Sequence, residues 1–212
     1  MIKHIVWDWN GTLIDDVELC VDILNHQLLS HGKNTITVKE YRGRFFFPVA
    51  KFYETLELPS FGSQYDLLAK RYIQEYRERF QECVLHFDAI SIVKKLESLG
   101  ISQSILSAAA QSDLEKFTAF YGIDKWMSQL DGANNIEAKG KEDRAASHFS
   151  NLGYSPNQVL LVGDTLHDWK VAKMVDCMVL LFEGGHIDPE KLRKSSVPTI
   201  ELLSEVVSWV LD

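Results

Sequence analysis

Two patterns of apolar and polar positions divide the chain. Residues 2–8, IKHIVWD, form a short β-branched run ending on a charge, which predicts a buried strand that delivers Asp8 at its C-terminal end. From Asp15 the period becomes helical: Val17, Val21, Leu24 and Leu28 fall on one stripe, and Gly32 supplies a C′ stop. TVKE at 37–40 has the form of a capping box, and VAKFYETLEL follows Pro48 as another helical piece. Leu68, Tyr72, Tyr76 and Phe80 then recur at every fourth position. Residues from about 15 to 85 therefore read as helical throughout.

From Phe87 helix and strand alternate. AISIVKKLESLG is an amphipathic helix with a glycine stop, and ISQSILSAA is a strand ending at Ser107. SDLEKFTAFYG opens on a second capping box, Ser112 to Glu115, and turns Leu114, Phe117 and Tyr121 to one side. KEDRAASHFSNLG is a helix, QVLLVGD (158–164) a continuous apolar strand ending on an aspartate, DWKVAKMVD a helix, CMVLLF a strand, and TIELLSEVVSWVLD a closing helix. Such alternation with fully apolar strands predicts a parallel sheet covered on both faces. The helical insert leaves beside the end of the first strand, where it can sit as a lid over the crevice in which open α/β sheets bind ligands.

A chain of 212 residues has room for one core of ordinary size and a smaller inserted module. Its 46% hydrophobic and 25% charged residues are those of a globular protein. A net charge of −8, with no run of lysines or arginines, argues against nucleic acid as a partner, since phosphate backbones require a basic face. No apolar stretch reaches the roughly 18 residues of a membrane span, and no leader pattern precedes the first strand. Cys20, Cys83 and Cys177 are odd in number and far apart, which suits reduced thiols better than a disulfide framework. A cytoplasmic protein without a membrane partner is expected.

The chemistry gathers at the predicted strand ends. Asp8, Ser107 and Asp164 each close a strand, and Asp168 lies four residues beyond Asp164. In a parallel sheet these ends share one edge, and three carboxylates converging there repel one another unless a cation neutralises them. A hard divalent ion with oxygen ligands, Mg²⁺ above all, is the natural occupant. Asp168 alone also reads as a helix-capping residue.

DWNGTLID, the strand-end Ser107, a lysine before a helix and GDTLHD resemble, in that order, the four motifs of the haloacid dehalogenase superfamily. The insert after the first motif resembles the C1 cap of its phosphoglycolate phosphatase-like group. The resemblance implies an α/β fold: a Rossmann-like parallel sheet core with an inserted all-helical cap domain, the core being residues 1–14 and 86–212 and the cap 15–85. It implies hydrolysis of a small phosphorylated metabolite, with Asp8 as the nucleophile that becomes an aspartyl-phosphate. Mg²⁺ would be held by Asp8, the backbone carbonyl of Asn10 and Asp164, with Asp168 acting mainly through the metal's waters. Thr12, Ser107, Ala108 and a lysine would hold the phosphoryl oxygens. Lys139, fourteen residues before Gly153, is the preferred lysine and Lys141 the alternative. Cap residues choose substrates in this family, which makes Arg42 and Arg44 candidates for an anionic group of the substrate, with solvated surface as the other reading.

Where the family's phosphatases carry an aspartate that protonates the leaving group, this chain has Asn10. An amide exchanges no proton at neutral pH, and general acid–base catalysis is worth about 10²–10⁴ in rate, or roughly 3–5 kcal/mol. The expectation is a slow or substrate-restricted phosphatase that favours good leaving groups, with water, a cap residue, Asp15 or Asp16 supplying the proton. The alternative is a catalytically silent protein that binds phosphate or a partner. Dehalogenases of the superfamily also lack the second aspartate but need no Mg²⁺, and the Asp164–Asp168 pair argues against that chemistry. Lys51 stands where a Schiff-base lysine of the family's phosphonate hydrolases could lie, although a solvated helix lysine is the plainer reading. Asn10-Gly11 is a pair prone to deamidation, so aged protein is expected to gain an acid at position 10. Trp7 and Trp9 flank Asp8 and should pack into the core on the opposite face. His186, in a GGH loop beyond a strand end, is a candidate contact.

Overall fold

A computed structural model describes residues 1–133 and 141–211. Strand β1 (His4–Trp7) is buried at every position, as its apolar run requires, and hands the chain to Asp8. The short β2 (Ile14–Asp15) leads into a helical insert made of α1 (Val17–Ser30), α2 (Val38–Arg44), α3 (Val49–Thr55) and α4 (Gly62–Arg79). Strand β3 (Val84–Leu85) closes the insert by pairing antiparallel with β2, Ile14 opposite Leu85 and Asp15 opposite Val84. Then follow α5 (Ala89–Ser98), β4 (Ser102–Ala110), α6 (Gln111–Tyr121), β5 (Gln129–Ala133), α7 (Glu142–Leu152) and β6 (Val159–Gly163). The chain continues through α8 (Leu166–Met174), β7 (Met178–Phe182), α9 (Pro189–Arg193), β8 (Thr199–Ile200) and α10 (Val206–Leu211).

Six strands form one parallel sheet in the order β5-β4-β1-β6-β7-β8. The register is set around β1, where Trp7 pairs with Ile105 on one side and Val162 on the other. From β1 the chain moves outward through β4 to β5, then returns to the opposite side with β6. The carboxyl ends of β1, β4 and β6 thus meet where the strand order reverses, and there the sheet opens a crevice. The expected α/β class, a Rossmann-like core with an inserted helical cap, is the architecture found.

The insert is seated by two apolar faces of α1. Val17, Val21, Leu24 and Leu28, the stripe expected from the sequence, pack with Tyr41, Phe45 and Phe52 and with Leu181, Ile187 and Leu192 from the β7–α9 region. Cys20 and Ile23 face the other way and join Tyr76 and Phe80 in the cluster that holds Trp7 and Trp9, both fully buried. The Thr37 capping box forms in both directions, Glu40 N donating to Thr37 Oγ1 at 3.2 Å and Thr37 N to Glu40 Oε2 at 2.8 Å. Among the described residues no helix is long and apolar enough to cross a membrane.

Several local expectations change. Strand β4 runs past Ser107 to Ala110, because a register shift against β5 between Leu106 and Ala110 lets pairing resume beyond the irregularity. The Ser112 capping box does not form: α6 starts at Gln111, whose side chain donates to Leu130 O at 3.1 Å and accepts from Gly132 N, tying the helix start to β5. Strand β5 has no clear apolar pattern because Asp131 and Gly132 interrupt its run, and β8 has none because its two residues open a segment with helical spacing. The insert is helical except at its ends, which pair as β2 and β3.

Candidate active site

Asp8 follows β1 directly, its backbone N–H donating to Val162 O at 2.8 Å and its Oδ1 accepting from Trp9 N at 2.7 Å. Asp164 follows β6 in the same way, and Asp168 lies on the first turn of α8, so both arrive at the edge where Asp8 emerges. The three side chains offer oxygens within 4.8 Å of one another. Asp168 divides its carboxylate between two tasks. Oδ2 accepts from Thr165 N at 3.0 Å and Thr165 Oγ1 at 2.9 Å as part of the helix cap, while Oδ1 faces Lys141 Nζ at 2.6 Å. Lys141 also pairs with Asp8 Oδ1 at 2.9 Å, although its side chain is only 2% exposed.

One buried lysine cannot balance three carboxylates. Burial raises the Asp8 carboxyl to about 7, with Asp168 and Asp164 adding to the rise and Lys141 opposing it. Burial likewise raises Asp164 to about 6 against the pull of His186. Burial works on Asp168 too, but the nearby Lys141 outweighs it and holds that carboxyl below its usual value. Lys141 is itself pushed up to about 12, since Asp168 and Asp8 together outweigh its burial. Asp168 Oδ1 has this ion pair but no aligned hydrogen bond. A crowded set of hard oxygens with negative charge in excess fits a divalent cation, and Asp8, Asp164 and Asp168 can hold one.

A second buried hub stands beside the first. Asn10 Nδ2 donates to Asp16 Oδ2 at 2.7 Å and to Tyr76 Oη at 3.0 Å. A carboxylate only accepts, so Asp16 fixes which way the amide points. Asp16 also accepts from Gly11 N at 2.9 Å, Tyr76 Oη at 2.8 Å and His186 Nε2 at 3.2 Å. Burial alone would lower the His186 pKa, but Asp16 outweighs it and raises the imidazole to about 9. The backbone N–H of His186 donates to Asp164 Oδ2 at 2.6 Å, which links the two hubs. Glycine makes that approach possible: a Cβ on Gly185 would stand 2.1 Å from Asp164 Oδ2. Gly11, at φ +72°, is similarly confined, with Asp164 Oδ2 2.5 Å from where its Cβ would be.

The remaining sequence candidates scatter. Thr12 Oγ1 donates to Asp164 Oδ1 at 3.4 Å, and Ala108 lines the same cavity as Asp8. Ser107 is buried, its Oγ accepting from Ala109 N at 3.1 Å. Lys139 lies outside the described residues, and among the described lysines Lys141 reaches Asp8. Neither Arg42 nor Arg44 lines the cavity. Tyr41 of α2 and Phe45 just beyond it line the cavity instead, while Arg42 Nη2 donates to Gly184 O at 2.6 Å and Arg44 is exposed. Lys51 is also exposed, paired with Glu54 at 3.1 Å. Asp15 is exposed while Asp16 is buried, so of the two only Asp16 reaches Asn10.

Residues 5–182 match the family profile of the haloacid dehalogenase-like hydrolases. The chain is 22% identical over 196 residues to a phosphoglycolate phosphatase of Synechococcus elongatus, covering 90% of this chain and 88% of that protein. A phosphoglycolate phosphatase of Psychrobacter arcticus is 22% identical over 174 residues, covering 77% of this chain and 76% of its own length. Among solved structures, a haloacid dehalogenase-like family hydrolase from Streptococcus pneumoniae superposes with a TM-score of 0.82 at 20% identity, covering 98% of both chains.

Proposed function

The chain belongs to the haloacid dehalogenase-like hydrolase family, and on that premise we propose that it is a phosphatase acting on a small phosphorylated metabolite through an aspartyl-phosphate at Asp8. The reading rests on Lys141 Nζ, 2.9 Å from Asp8 and 2.6 Å from Asp168, beside buried Asp164. Phosphoryl transfer requires little beyond a positioned nucleophile and positive charge around the phosphoryl oxygens. Asp8, the backbone carbonyl of Asn10 and Asp164 would hold Mg²⁺, with Asp168 behind them. When bound, the ion supplies positive charge to the phosphoryl oxygens.

In this mechanism Asp8 Oδ attacks phosphorus and the bond from phosphorus to the leaving oxygen breaks. Lys141, Thr12, Ser107 and the backbone at Ala108 hold the phosphoryl oxygens. Water then attacks the aspartyl-phosphate, its bond to Asp8 breaks, and inorganic phosphate departs. Asn10 orients the site through Asp16 but gives no proton to the leaving group. The helical insert acts as the cap, and the buried thiols Cys20 and Cys83 suit a cytoplasmic setting. Phosphoglycolate, named for two relatives, belongs among the substrates to test.

The fixed amide at position 10 also favours a second reading, a silent phosphate-binding protein. Hydrolysis of acetyl phosphate separates the two, because its leaving group needs no acid. With Mg²⁺ present, native turnover is expected at least a hundredfold above that of Asp8→Asn, with phosphate trapped on the peptide that carries Asp8. Equal rates for the two proteins would refute the phosphatase.

A further inference from the structure

The crevice above Asp8 is a cavity of about 190 Å³, floored by Asp8, Asn10 and Asp164 and walled by Phe45, Phe47, Phe52, Tyr72, Tyr76 and Phe117 among others. An engineered apolar cavity of about 150 Å³ is enough to take up benzene. Three tyrosines of this lining have their hydroxyls engaged by neighbouring side chains. Tyr53 Oη donates to Gln27 Oε1 at 2.8 Å, Tyr76 Oη to Asp16 Oδ2 at 2.8 Å, and Tyr41 Oη accepts from His186 Nδ1 at 3.0 Å.

The cationic side chains of the lining already have partners. Arg77 is held by both oxygens of Asp113, at 2.8 and 2.9 Å, and His186 by Asp16. Among the described residues these are the cationic side chains that line the cavity. A carboxylate or second phosphate on the substrate would be desolvated here without a counter-charge, which is strongly unfavourable. A flat uncharged ring loses nothing and gains contact with ring faces and edges.

Asn10 leads independently to the same place. Without an acid, the leaving oxygen departs as its anion. An alkoxide is nearly as basic as hydroxide, whose parent acid has a pKa of about 15.7, whereas a phenol has a pKa of about 10. Phenolates therefore leave unprotonated far more readily.

We propose that the preferred substrate is the phosphate monoester of a small uncharged phenol, its ring held in the aromatic cavity while Asp8 takes the phosphoryl group. The proposal rests on the phosphatase reading and adds the class of leaving group. The nucleophile forms a bond to phosphorus, the bond from phosphorus to the aryl oxygen breaks, and the phenolate leaves with the electron pair and takes a proton from solvent. Water completes the hydrolysis at Asp8.

Three substrates test it beside acetyl phosphate: phenyl phosphate, cyclohexyl phosphate, which is apolar but has an alkoxide leaving group, and a phosphorylated hydroxy acid. Phenyl phosphate is expected to exceed both others in kcat/KM by about a hundredfold or more, the general acid alone being worth about 10²–10⁴. Phe47→Leu and Tyr72→Leu, at half-buried positions, are each expected to lower the ratio of phenyl to acetyl phosphate kcat/KM about tenfold. If acetyl phosphate is hydrolysed through Asp8 but the hydroxy acid phosphate or cyclohexyl phosphate matches phenyl phosphate, the leaving-group proposal fails and the phosphatase stands. If no substrate shows turnover dependent on Asp8, both fail. An unchanged ratio in both pocket variants also overturns the placement of the ring.

Discussion

Asn10→Asp tests whether a proton is all the site lacks. The amide nitrogen lies 2.7 Å from Asp16 Oδ2, a distance at which two carboxylates require a proton between them. Like carboxyls in one site share a single proton, one titrating low and the other high. In the variant one of the two carboxyls is therefore pushed upward, towards the protonated state a general acid needs. Such an acid is worth about 10²–10⁴ in rate, or roughly 3–5 kcal/mol of barrier. That gain should appear in full for cyclohexyl phosphate, whose leaving group needs the proton, and should shrink towards unity for phenyl and acetyl phosphates. The assay is kcat/KM for the three substrates with saturating Mg²⁺, in native and variant protein of matched melting temperature. A rise of less than threefold for the alkyl ester, with acetyl phosphate still hydrolysed, would refute the reasoning and make Asn10 a positioning residue whose replacement by an acid changes nothing.

Three further outcomes follow from the same geometry. Lys141→Met leaves Asp8, Asp164 and Asp168 without their buried cation, so the variant should be about 3–5 kcal/mol less stable in urea, and Mg²⁺ should raise its melting temperature more than that of the native protein. Equal Mg²⁺ shifts would count against a shared carboxylate site. His4, buried on β1 with Ser104 Oγ at 2.7 Å, has its pKa lowered to about 4 by burial and then by His148. Its unfolded form gains a proton first as pH falls, so its contribution is intact above pH 6.5 and is lost between about 6.5 and 4, on the order of 3 kcal/mol. Urea titrations from pH 7 to 4 should show that loss, and His4→Gln should flatten it; parallel curves for both proteins would contradict it. Deamidation of Asn10 should be slow in the folded protein, because Gly11 N–H, whose nitrogen must attack the amide, is bound to Asp16 Oδ1 at 2.9 Å. Peptide mapping should find the modification much faster in urea than in native buffer, and equal rates would show that this bond gives no protection.

The strands and the insert were legible because their apolar periods are long: β1, β6 and the α1 stripe each carry a pattern that admits one reading. Strands β5 and β8 were not, since Asp131–Gly132 interrupts one and the other has only two residues. In the site, Asp8, Asp164 and Asp168 stood out as charges at the ends of apolar runs. Asp16 and His186 were candidates singly, as a proton source and a loop contact, but their pairing was not legible, because nothing in one dimension joins residues 170 positions apart. The only local signal was the pair of glycines before His186, which permits the tight approach to Asp164. Choosing between Lys139 and Lys141 depended on where α7 begins, and in the structure Lys141 stands at its N-cap, buried between two carboxylates.

The two-residue ladder at the foot of the insert has an evolutionary reading. Ile14 meets Leu85 and Asp15 meets Val84, so the chain returns to the sheet one strand's width from where it left. To β1 and β4, everything between is equivalent to a hairpin turn. Loop closure costs little more for a long excursion than for a short one, so the excursion can be lengthened or exchanged wholesale without shifting the register that aligns Asp8 with Asp164. Heredity can thus redraw the aromatic wall by recombination at two adjacent points. The phosphoryl chemistry is inherited separately, with the sheet.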